Sequence, residues 1–209
     1  MKIIAICRNY AAHAAEMATS PNKPAIPSSP AWFLKPDSAL LHDDKPFFYP
    51  DFSTDVQHEV EVVVRIDHVG KSIEQRFAHR YYSSVALGLD LTARDLQREA
   101  KRNGMPWAAS KGFDGSAVLS SFVPLDSLGG DIQNLGFSLL RNGQVVQQGN
   151  TADMIFPVDQ LIQHISQFMT LRTGDLIYTG TPAGVGPIAI GDQLQGILCG
   201  QPMFNLRVK

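Results

Sequence analysis

Two glutamates, Glu59 and Glu61, stand two residues apart in the segment HEVEVVVRI, residues 58–66. The segment alternates with the period of a β-strand, so both carboxylates are expected on one face, with valines on the other. Taken alone, such a pair is typical of a solvent-exposed edge. Asp90 ends the apolar run SSVALGLDL, and a carboxylate at a buried strand end requires a cation or hydrogen-bond donors. Asp90 therefore favours a shared, chemically active site.

These three carboxylates predict a site for a hard divalent cation. Glu59, Glu61 and Asp90 offer only oxygen donors, which suit Mg²⁺ or Mn²⁺, with Ca²⁺ as a further candidate. Zinc is disfavoured because no cysteine or histidine group accompanies them. The adjacent His58 is expected to point to the opposite face of the strand, where a structural role is favoured over a ligand role.

A histidine and a glutamate lie three residues apart in the segment RNYAAHAAEM. On a helix, His13 and Glu16 would share a face. A carboxylate beside an imidazole orients the ring and raises its basicity, as a general base that activates water requires. The alternative is an ordinary surface pair, because such pairs are common on exposed helices.

Two further polar side chains stand beside glycines. Lys111, in AASKGFDGS, could stabilise an enolate or a carboxylate if it is buried near a metal, or it could be an ordinary surface lysine. Thr181 lies in YTGTPAGVGP, which lacks the lysine and the spacing of a P-loop. Its hydroxyl and the neighbouring backbone N–H groups could bind a small anion; otherwise the segment is a plain tight turn.

The elements that must position these residues are mostly strands. Seventeen glycines and thirteen prolines divide the chain into short segments, which favours a β-rich fold. Strands are predicted at 3–7, 59–66 and 83–91, in a hairpin that turns at 142–143, and in the closing segments LIYTG, DQLQGIL and MFNLRV. The expected fold class is α+β, dominated by sheet, with a few short helices.

Three helices are predicted from caps and apolar spacing. The first covers 71–83, with Ser72 and Gln75 in capping-box spacing. The second runs from Thr92 as N-cap to Gly104 as the stop. The third covers 157–169, with an apolar stripe that consists of Val158, Leu161, Ile162, Ile165 and Phe168.

Composition narrows the function classes. The 209 residues suit one large domain, and 44% hydrophobic residues suit a packed core. A net charge of −2 argues against a nucleic-acid-binding surface, and no apolar run is long enough for a membrane span. Cys7 and Cys199 form no metal or redox motif, so a reduced, cytoplasmic location is expected. The segment SPNKPAIPSSP, residues 20–30, is expected to be a mobile lid or excursion.

The order of these segments resembles the fumarylacetoacetate hydrolase family. The matching segments are CRNYAAHAAEM, FLKPDSAL, HEVEVVV, GLDLTARDLQ, PWAASKGFD, GNTADMIF and DLIYTGTPAGVGP. They cover nearly the whole chain and are most similar to small single-domain acylpyruvate hydrolases, fumarylpyruvate hydrolases and oxaloacetate decarboxylases. The resemblance implies a single catalytic domain over 1–209, a mixed β-sandwich or roll, a homodimer, and a mobile lid formed by segment 8–30.

The resemblance also implies roles for individual residues. Glu59, Glu61 and Asp90 correspond to the family's ligands for Mg²⁺ or Mn²⁺. The catalytic residues would be His13, Glu16 and Lys111, and the residues near the substrate carboxylate would be Arg8, Arg94, Gln97 and Thr181.

The function expected from the resemblance and the residues together is metal-dependent hydrolysis of a carbon–carbon bond in 2,4-diketo acids. A substrate such as fumarylpyruvate or acetylpyruvate would give pyruvate and a carboxylic acid. His13 would activate the water, and Lys111 would stabilise the pyruvate enolate. Without water attack, the same residues could decarboxylate oxaloacetate or tautomerise a 2-oxo diacid. A module that binds a metal or a dicarboxylate without catalysis is a third alternative. Pocket shape and lid closure decide among the catalytic alternatives.

Overall fold

The structure is a computed structural model that describes residues 1–16, 27–42 and 45–209. Its strands are β1 (Ile3–Cys7), β2 (Ala31–Lys35), β3 (Leu40–Leu41), β4 (Val56–His58), β5 (Val60–Arg65), β6 (Ser84–Asp90), β7 (Thr92–Ala93), β8 (Ala117–Leu119), β9 (Val123–Pro124), β10 (Gly136–Arg141), β11 (Gln144–Asn150), β12 (Leu176–Tyr178), β13 (Gly186–Pro187), β14 (Gln193–Leu198) and β15 (Gln201–Arg207). Its α-helices are α1 (Ala11–Glu16), α2 (Gln75–Ala78), α3 (Arg94–Asn103), α4 (Ala108–Lys111) and α5 (Val158–Phe168).

Three sheets make up most of the fold. An eight-stranded mixed sheet has the order β2-β1-β12-β5-β6-β8-β3, with β9 also paired to β6. A four-stranded antiparallel sheet has the order β11-β10-β14-β15, and β13, β4 and β7 form a small third sheet. The predicted sheet-dominated α+β class with few short helices is therefore confirmed.

The main core lies between the two larger sheets. Val62 and Leu87 of the eight-stranded sheet belong to one buried apolar cluster with Leu139, Leu194 and Phe204 of the four-stranded sheet. This is the packing of a β-sandwich, in which each inner face is covered by the other sheet. The alternation of β5 puts its even-numbered valines into this core, as the sequence predicted.

The opposite face of the eight-stranded sheet carries the polar residues of interest. Val63 of β5 and Tyr178 of β12 form a second buried cluster on that face, and the same alternation turns Glu61 toward it. Gly88 of β6 leaves the space that this face needs. A Cβ at Gly88 would come within 2.5 Å of the Val118 carbonyl oxygen and 2.7 Å of the Tyr178 ring, so a side chain at this position would displace the sheet.

The first predicted helix is shorter than the sequence suggested. Only α2 and a 3₁₀ turn at His79–Tyr81 form within the segment 71–83. The Ser72 capping box is wrong: Ser72 has a φ of 51° and donates its N–H to the Ser166 carbonyl. Packing against α5 thus overrides the local signal, because tertiary hydrogen bonds satisfy the backbone groups that a cap would have served.

The other predicted elements differ mainly at their ends. Thr92 lies in β7, and α3 follows Ala93, so the predicted Thr92 cap is wrong; Gly104 ends the helix in the left-handed conformation as predicted. Asn142 and Gly143 both have positive φ in the turn between β10 and β11, as a type I′ hairpin requires. In α5, Phe168 is 62% exposed and therefore lies outside the buried stripe.

The predicted lid lies partly outside the described residues, because residues 17–26 are not among them; the expectation of a mobile segment at 8–30 stays a prediction. Within the ranges that the structure describes, every helix is too short or too polar to cross a bilayer.

Candidate active site

The carboxylates of Glu59, Glu61 and Asp90 meet because β5 and β6 are antiparallel neighbours. Val60 pairs with Leu89 and Glu61 with Gly88, and the Asp90 N–H donates to the Glu59 carbonyl at 2.8 Å. One carboxylate oxygen from each of the three residues lies within 4.8 Å of the others. All three side chains are buried, with Glu61 and Asp90 each 1% exposed. We call these three residues the carboxylate cluster.

Three cationic side chains surround the carboxylate cluster. The Lys111 Nζ donates to Glu59 Oε2 at 2.8 Å and to Asp90 Oδ2 at 2.6 Å. Lys35, at the end of β2, forms an ion pair with Asp90 Oδ1 at 2.7 Å. The Arg94 guanidinium donates to Glu59 Oε1 at 2.6 Å. Glu59 and Asp90 therefore each have two cationic partners.

Glu61 is bound differently from its two neighbours. Its Oε2 accepts the Gly180 N–H at 2.7 Å, and among the described residues it forms no ion pair. Burial, together with the charges of Asp90 and Glu59, raises the pKa of Glu61 well above its usual range. Burial also tends to raise the pKa of Glu59, but Lys111, Arg94 and His13 outweigh it and hold that pKa below its usual range.

This charge pattern fits a divalent cation. Three buried carboxylates converge, and burial together with the charges of the other two raises the pKa of one of them, Glu61. The donor atoms are all oxygens, which Mg²⁺, Mn²⁺ and Ca²⁺ prefer. A cation held by these oxygens would neutralise the repulsion that raises the pKa of Glu61.

The His13–Glu16 pair stands at one wall of the same cleft. His13 Nδ1 lies 3.2 Å from Glu16 Oε2, and the His13 side chain is buried. Glu16 Oε1 accepts the Gly184 N–H at 3.3 Å, which ties α1 to the glycine-rich segment after β12. Because Glu16 occupies Nδ1, Nε2 is the ring nitrogen that can exchange a proton with a molecule in the cleft.

The cleft itself encloses about 440 Å³ of space between atoms, part of which is open to solvent. It is lined by Ile6, Cys7, Arg8, His13, Phe33, Glu59, Glu61, Asp90, Arg94, Gln97, Lys101, Trp107, Lys111 and Thr181. Every sequence-predicted metal ligand and substrate-binding residue is in this set, as are His13 and Lys111. Burial raises the pKa of the Cys7 thiol to about 12, so Cys7 is a neutral wall residue and has no thiolate for nucleophilic attack.

A family comparison agrees with this arrangement. The family described as "Fumarylacetoacetate (FAA) hydrolase C-terminal" matches residues 2–207. The chain belongs to the fumarylacetoacetate hydrolase family. Membership of this family supports an enzymatic function for the chain. The family name alone does not specify the reaction.

Two relatives and one solved structure of this family are informative. "Oxaloacetate decarboxylase, mitochondrial" of Dictyostelium discoideum is 46% identical over 200 residues, which are 95% of this chain and 88% of that protein. "Oxaloacetate tautomerase YcgM" of Escherichia coli is 40% identical over 193 residues, 92% and 86% of the two chains. The structure of fumarylpyruvate hydrolase from Pseudomonas aeruginosa in complex with Mn²⁺ and pyruvate has a TM-score of 0.90 and 32% identity, and covers 100% of this chain and 89% of that one.

Two of the predicted substrate-binding residues are already engaged within the protein. Arg94 donates to Gln57 and Gln97 as well as to Glu59. Thr181 donates its hydroxyl to the Val60 carbonyl at 2.9 Å and accepts from Gln147 at 2.9 Å. Both residues therefore position the cleft wall in this protein. Their direct contact with a substrate carboxylate stays a prediction.

Sequence reasoning missed three buried polar residues that build this site. Lys35 pairs with Asp90 and donates to the Ser116 carbonyl at 2.7 Å. Asn9 lies between β1 and α1. Its side-chain NH₂ donates to the Thr179 and Phe156 carbonyls, and its side-chain oxygen accepts the Phe156 N–H. Gln147 accepts from the Val60 N–H, and its Oε1 lies 2.8 Å from His58 Nδ1. Only Lys35 had a visible signal, a charge directly after the apolar strand AWFL.

Proposed function

We propose that this chain is a divalent-cation-dependent enzyme that interconverts the keto and enol forms of oxaloacetate. The observation that carries the proposal is the position of the His13–Glu16 pair beside the carboxylate cluster. This arrangement puts a proton-transfer group next to a site suited to a 2-oxo acid. The two tautomers differ only in whether one proton is on C3 or on the 2-oxygen, so the reaction needs neither water nor a redox partner.

The choice of oxaloacetate rests on the relatives. Two proteins that are 46% and 40% identical to this chain over more than nine tenths of its length are named for oxaloacetate. The structure named for fumarylpyruvate hydrolysis is 32% identical. The comparisons thus favour the tautomerase and decarboxylase alternatives over the carbon–carbon bond hydrolase that the sequence first suggested.

Glu59, Glu61 and Asp90 are the residues that would hold the cation, which we propose is Mg²⁺ or Mn²⁺. When bound, the cation supplies Lewis-acid polarisation of the 2-oxo group and orients the substrate. The outer groups keep the three carboxylates in place: Lys35 fixes Asp90, Arg94 fixes Glu59, and the Gly180 N–H fixes Glu61. Such outer partners set the orientation and basicity of the inner donors.

His13 is the proposed proton carrier. Its Nε2 removes a proton from C3, and negative charge develops on the 2-oxygen. Glu16 keeps Nδ1 protonated and stabilises the imidazolium that forms. The Lys111 ammonium, held 2.6 Å from Asp90 Oδ2, stabilises the developing charge, because Asp90 and Glu59 hold its pKa above the ordinary value although burial would lower it. Return of the proton to oxygen gives the enol.

The remaining predicted residues are proposed to bind the substrate carboxylate next to the 2-oxo group. Arg8 lines the cleft with a φ of 54°, a strained conformation for a residue with a side chain. Arg94 donates to the side-chain Oε1 of Gln97 at 2.7 Å, so the side-chain NH₂ of Gln97 is the group that can donate to a ligand. Thr181 contributes indirectly, because its hydroxyl group fixes the cleft wall through the Val60 carbonyl.

Hydrolysis of an acylpyruvate is a second candidate, supported by the His13–Glu16 pair, which can also activate water. The homodimer and the cytoplasmic location stay predictions. Sedimentation analysis of the purified protein tests the dimer. For localisation, one relative is named mitochondrial, so fractionation of the source cells is the test.

One assay panel separates the three activities. Enol absorbance follows oxaloacetate tautomerisation, and pyruvate release from oxaloacetate or acetylpyruvate follows decarboxylation or hydrolysis. We expect accelerated loss of the enol signal with little pyruvate, abolished by EDTA and restored by Mg²⁺ or Mn²⁺. Pyruvate released from acetylpyruvate at a higher kcat/KM than the tautomerisation would contradict the proposal and favour the hydrolase.

A further inference from the structure

One cationic residue of the cleft has no place in the chemistry described above. Lys101 lines the cleft, but it lies outside the carboxylate cluster and the His13–Glu16 pair. It belongs to α3, whose residues 94, 97 and 101 recur with the spacing of one helical face. Arg94 and Gln97 of that face are buried beside Glu59, whereas Lys101 is exposed at the mouth.

The face of α3 therefore runs outward from the carboxylate cluster. Arg94 is the innermost residue and uses its guanidinium on three protein oxygens. Gln97 comes next, and Lys101 follows one turn later. The rise of an α-helix puts residues 97 and 101 about 6 Å apart along the axis. Lys101 therefore lies one helical turn further from the carboxylate cluster than Gln97 does.

Lys101 is surrounded by positive charge and an aromatic wall. Its Nζ lies 5.1 Å from the centroid of the Trp107 ring, and in the described part of the chain it forms no ion pair with a carboxylate. Partial enclosure, together with the charges of Arg94, Arg8 and Lys111, lowers its pKa, and Glu59 opposes them. A lysine among cations, without an acidic partner, favours the binding of an external anion.

We propose that Lys101 binds the second carboxylate of the substrate, the one remote from the 2-oxo group. Lys101 then selects 2-oxo dicarboxylates over 2-oxo monocarboxylates. This inference rests on the proposed function for the identity of the first carboxylate's site. Trp107 also lines the cleft, and its ring contributes by holding the Lys101 ammonium at the cleft wall.

Malate and lactate are the probes for this inference, because they are stable and differ only by the second carboxylate. Calorimetric titrations with Mn²⁺ present would compare the wild type with Lys101→Met and Lys101→Arg. We expect Lys101→Met to weaken malate binding about 10-fold, as loss of a charge-assisted hydrogen bond does, and to leave lactate binding within about two-fold. Lys101→Arg should restore most of the malate affinity. Arg102→Met, one residue further along the same helix and exposed, is the control with unchanged affinity for both.

The outcomes distinguish this inference from the proposed function. Equal loss of malate and lactate binding in Lys101→Met would overturn the inference, as would no loss of either. A selective loss of malate binding in a protein that does not tautomerise oxaloacetate would support the Lys101 assignment and contradict the proposed function. In an active enzyme, the oxaloacetate KM should rise about 10-fold in Lys101→Met, with kcat nearly unchanged.

Discussion

The cleft consists of two regions that the fold anchors in different ways. The carboxylate cluster lies on paired strands of the eight-stranded sheet, and its side chains are buried among Lys35, Lys111 and Arg94. The His13–Glu16 pair lies on the six-residue helix α1, next to residues outside the described ranges, and Glu16 reaches the rest of the protein through Gly184.

This difference suggests a division of labour. Strand residues hold donor atoms at fixed separations, as cation binding requires. The His13–Glu16 pair instead offers a proton carrier at the wall of the cleft. Cation affinity therefore belongs to the carboxylate cluster in this proposal, and proton transfer belongs to the His13–Glu16 pair. Each of the following variants perturbs one region, and both cation binding and turnover are measured in it.

Glu61→Gln should have the largest effect on both functions. It removes one of three donor charges without leaving a lysine or arginine unpaired, because Glu61 accepts only from Gly180 among the described residues. We expect loss of divalent-cation binding, and a loss of turnover greater than the roughly 10–100-fold that outer-shell substitutions cost. Thermal unfolding with and without Mn²⁺, together with the tautomerase assay, measures the two losses. If Mn²⁺ stabilised the Glu61→Gln variant as much as it stabilises the wild type, Glu61 would be excluded as a ligand.

His13→Ala should have the next largest effect, restricted to turnover. Removal of a positioned general base typically costs about 10²–10⁴-fold, and His13 is not a member of the cation-binding set. The kcat for oxaloacetate tautomerisation is the readout. His164→Ala on α5 is the matched control, since that histidine contacts Phe168 and is not among the residues that line the cleft. Unchanged kcat in His13→Ala would remove it from the mechanism.

Lys35→Met should weaken the cation site indirectly. Lys35 is buried and pairs with Asp90 Oδ1, so its loss frees Asp90 to rotate toward Lys111. We expect Mn²⁺ affinity to fall about 10–100-fold, measured by titration calorimetry. Lys71→Met is the control, because within the described ranges Lys71 donates only to the carbonyl of the exposed Gln167. If both variants bind Mn²⁺ as the wild type does, Lys35 has no role in orienting Asp90.

Glu61→Gln should also have a smaller effect of the opposite sign, on the cation-free protein. The folded-state pKa of Glu61 is raised, so the ionised carboxylate destabilises the fold at any pH above its unfolded pKa. A neutral amide keeps the Gly180 hydrogen bond and removes that cost. In EDTA at neutral pH, Tm should rise by a few degrees, since about 1 kcal/mol corresponds to roughly 2–4 °C at this chain length. The gain should disappear at acidic pH, where Glu61 is protonated in both states.

Local patterns predicted much of the fold and the cation ligands. The alternation of HEVEVVVRI put Glu59 and Glu61 on one face, and the apolar run before Asp90 marked it as buried. Residue spacing could not show that β5 pairs with β6 in the register that brings Glu59 beside Asp90. The resemblance of whole segments supplied that information before the structure did.

The outer residues of the site depended on long-range packing and were missed. Lys35 is separated by 55 positions from Asp90, and Asn9 by 170 positions from Thr179. No periodicity connects residues at such distances. The failed Ser72 cap has the same cause, since its segment is held by Ser166 of α5. Local rules thus fail in this chain where a distant element satisfies the hydrogen bonds.

The division of labour is tested most directly by Mn²⁺ titration of His13→Ala against the wild type. We expect the same Kd within about two-fold for both proteins, while the variant's turnover is reduced at least about 100-fold. A Kd weakened in proportion to the loss of turnover would contradict it, because His13 would then belong to the cation site itself.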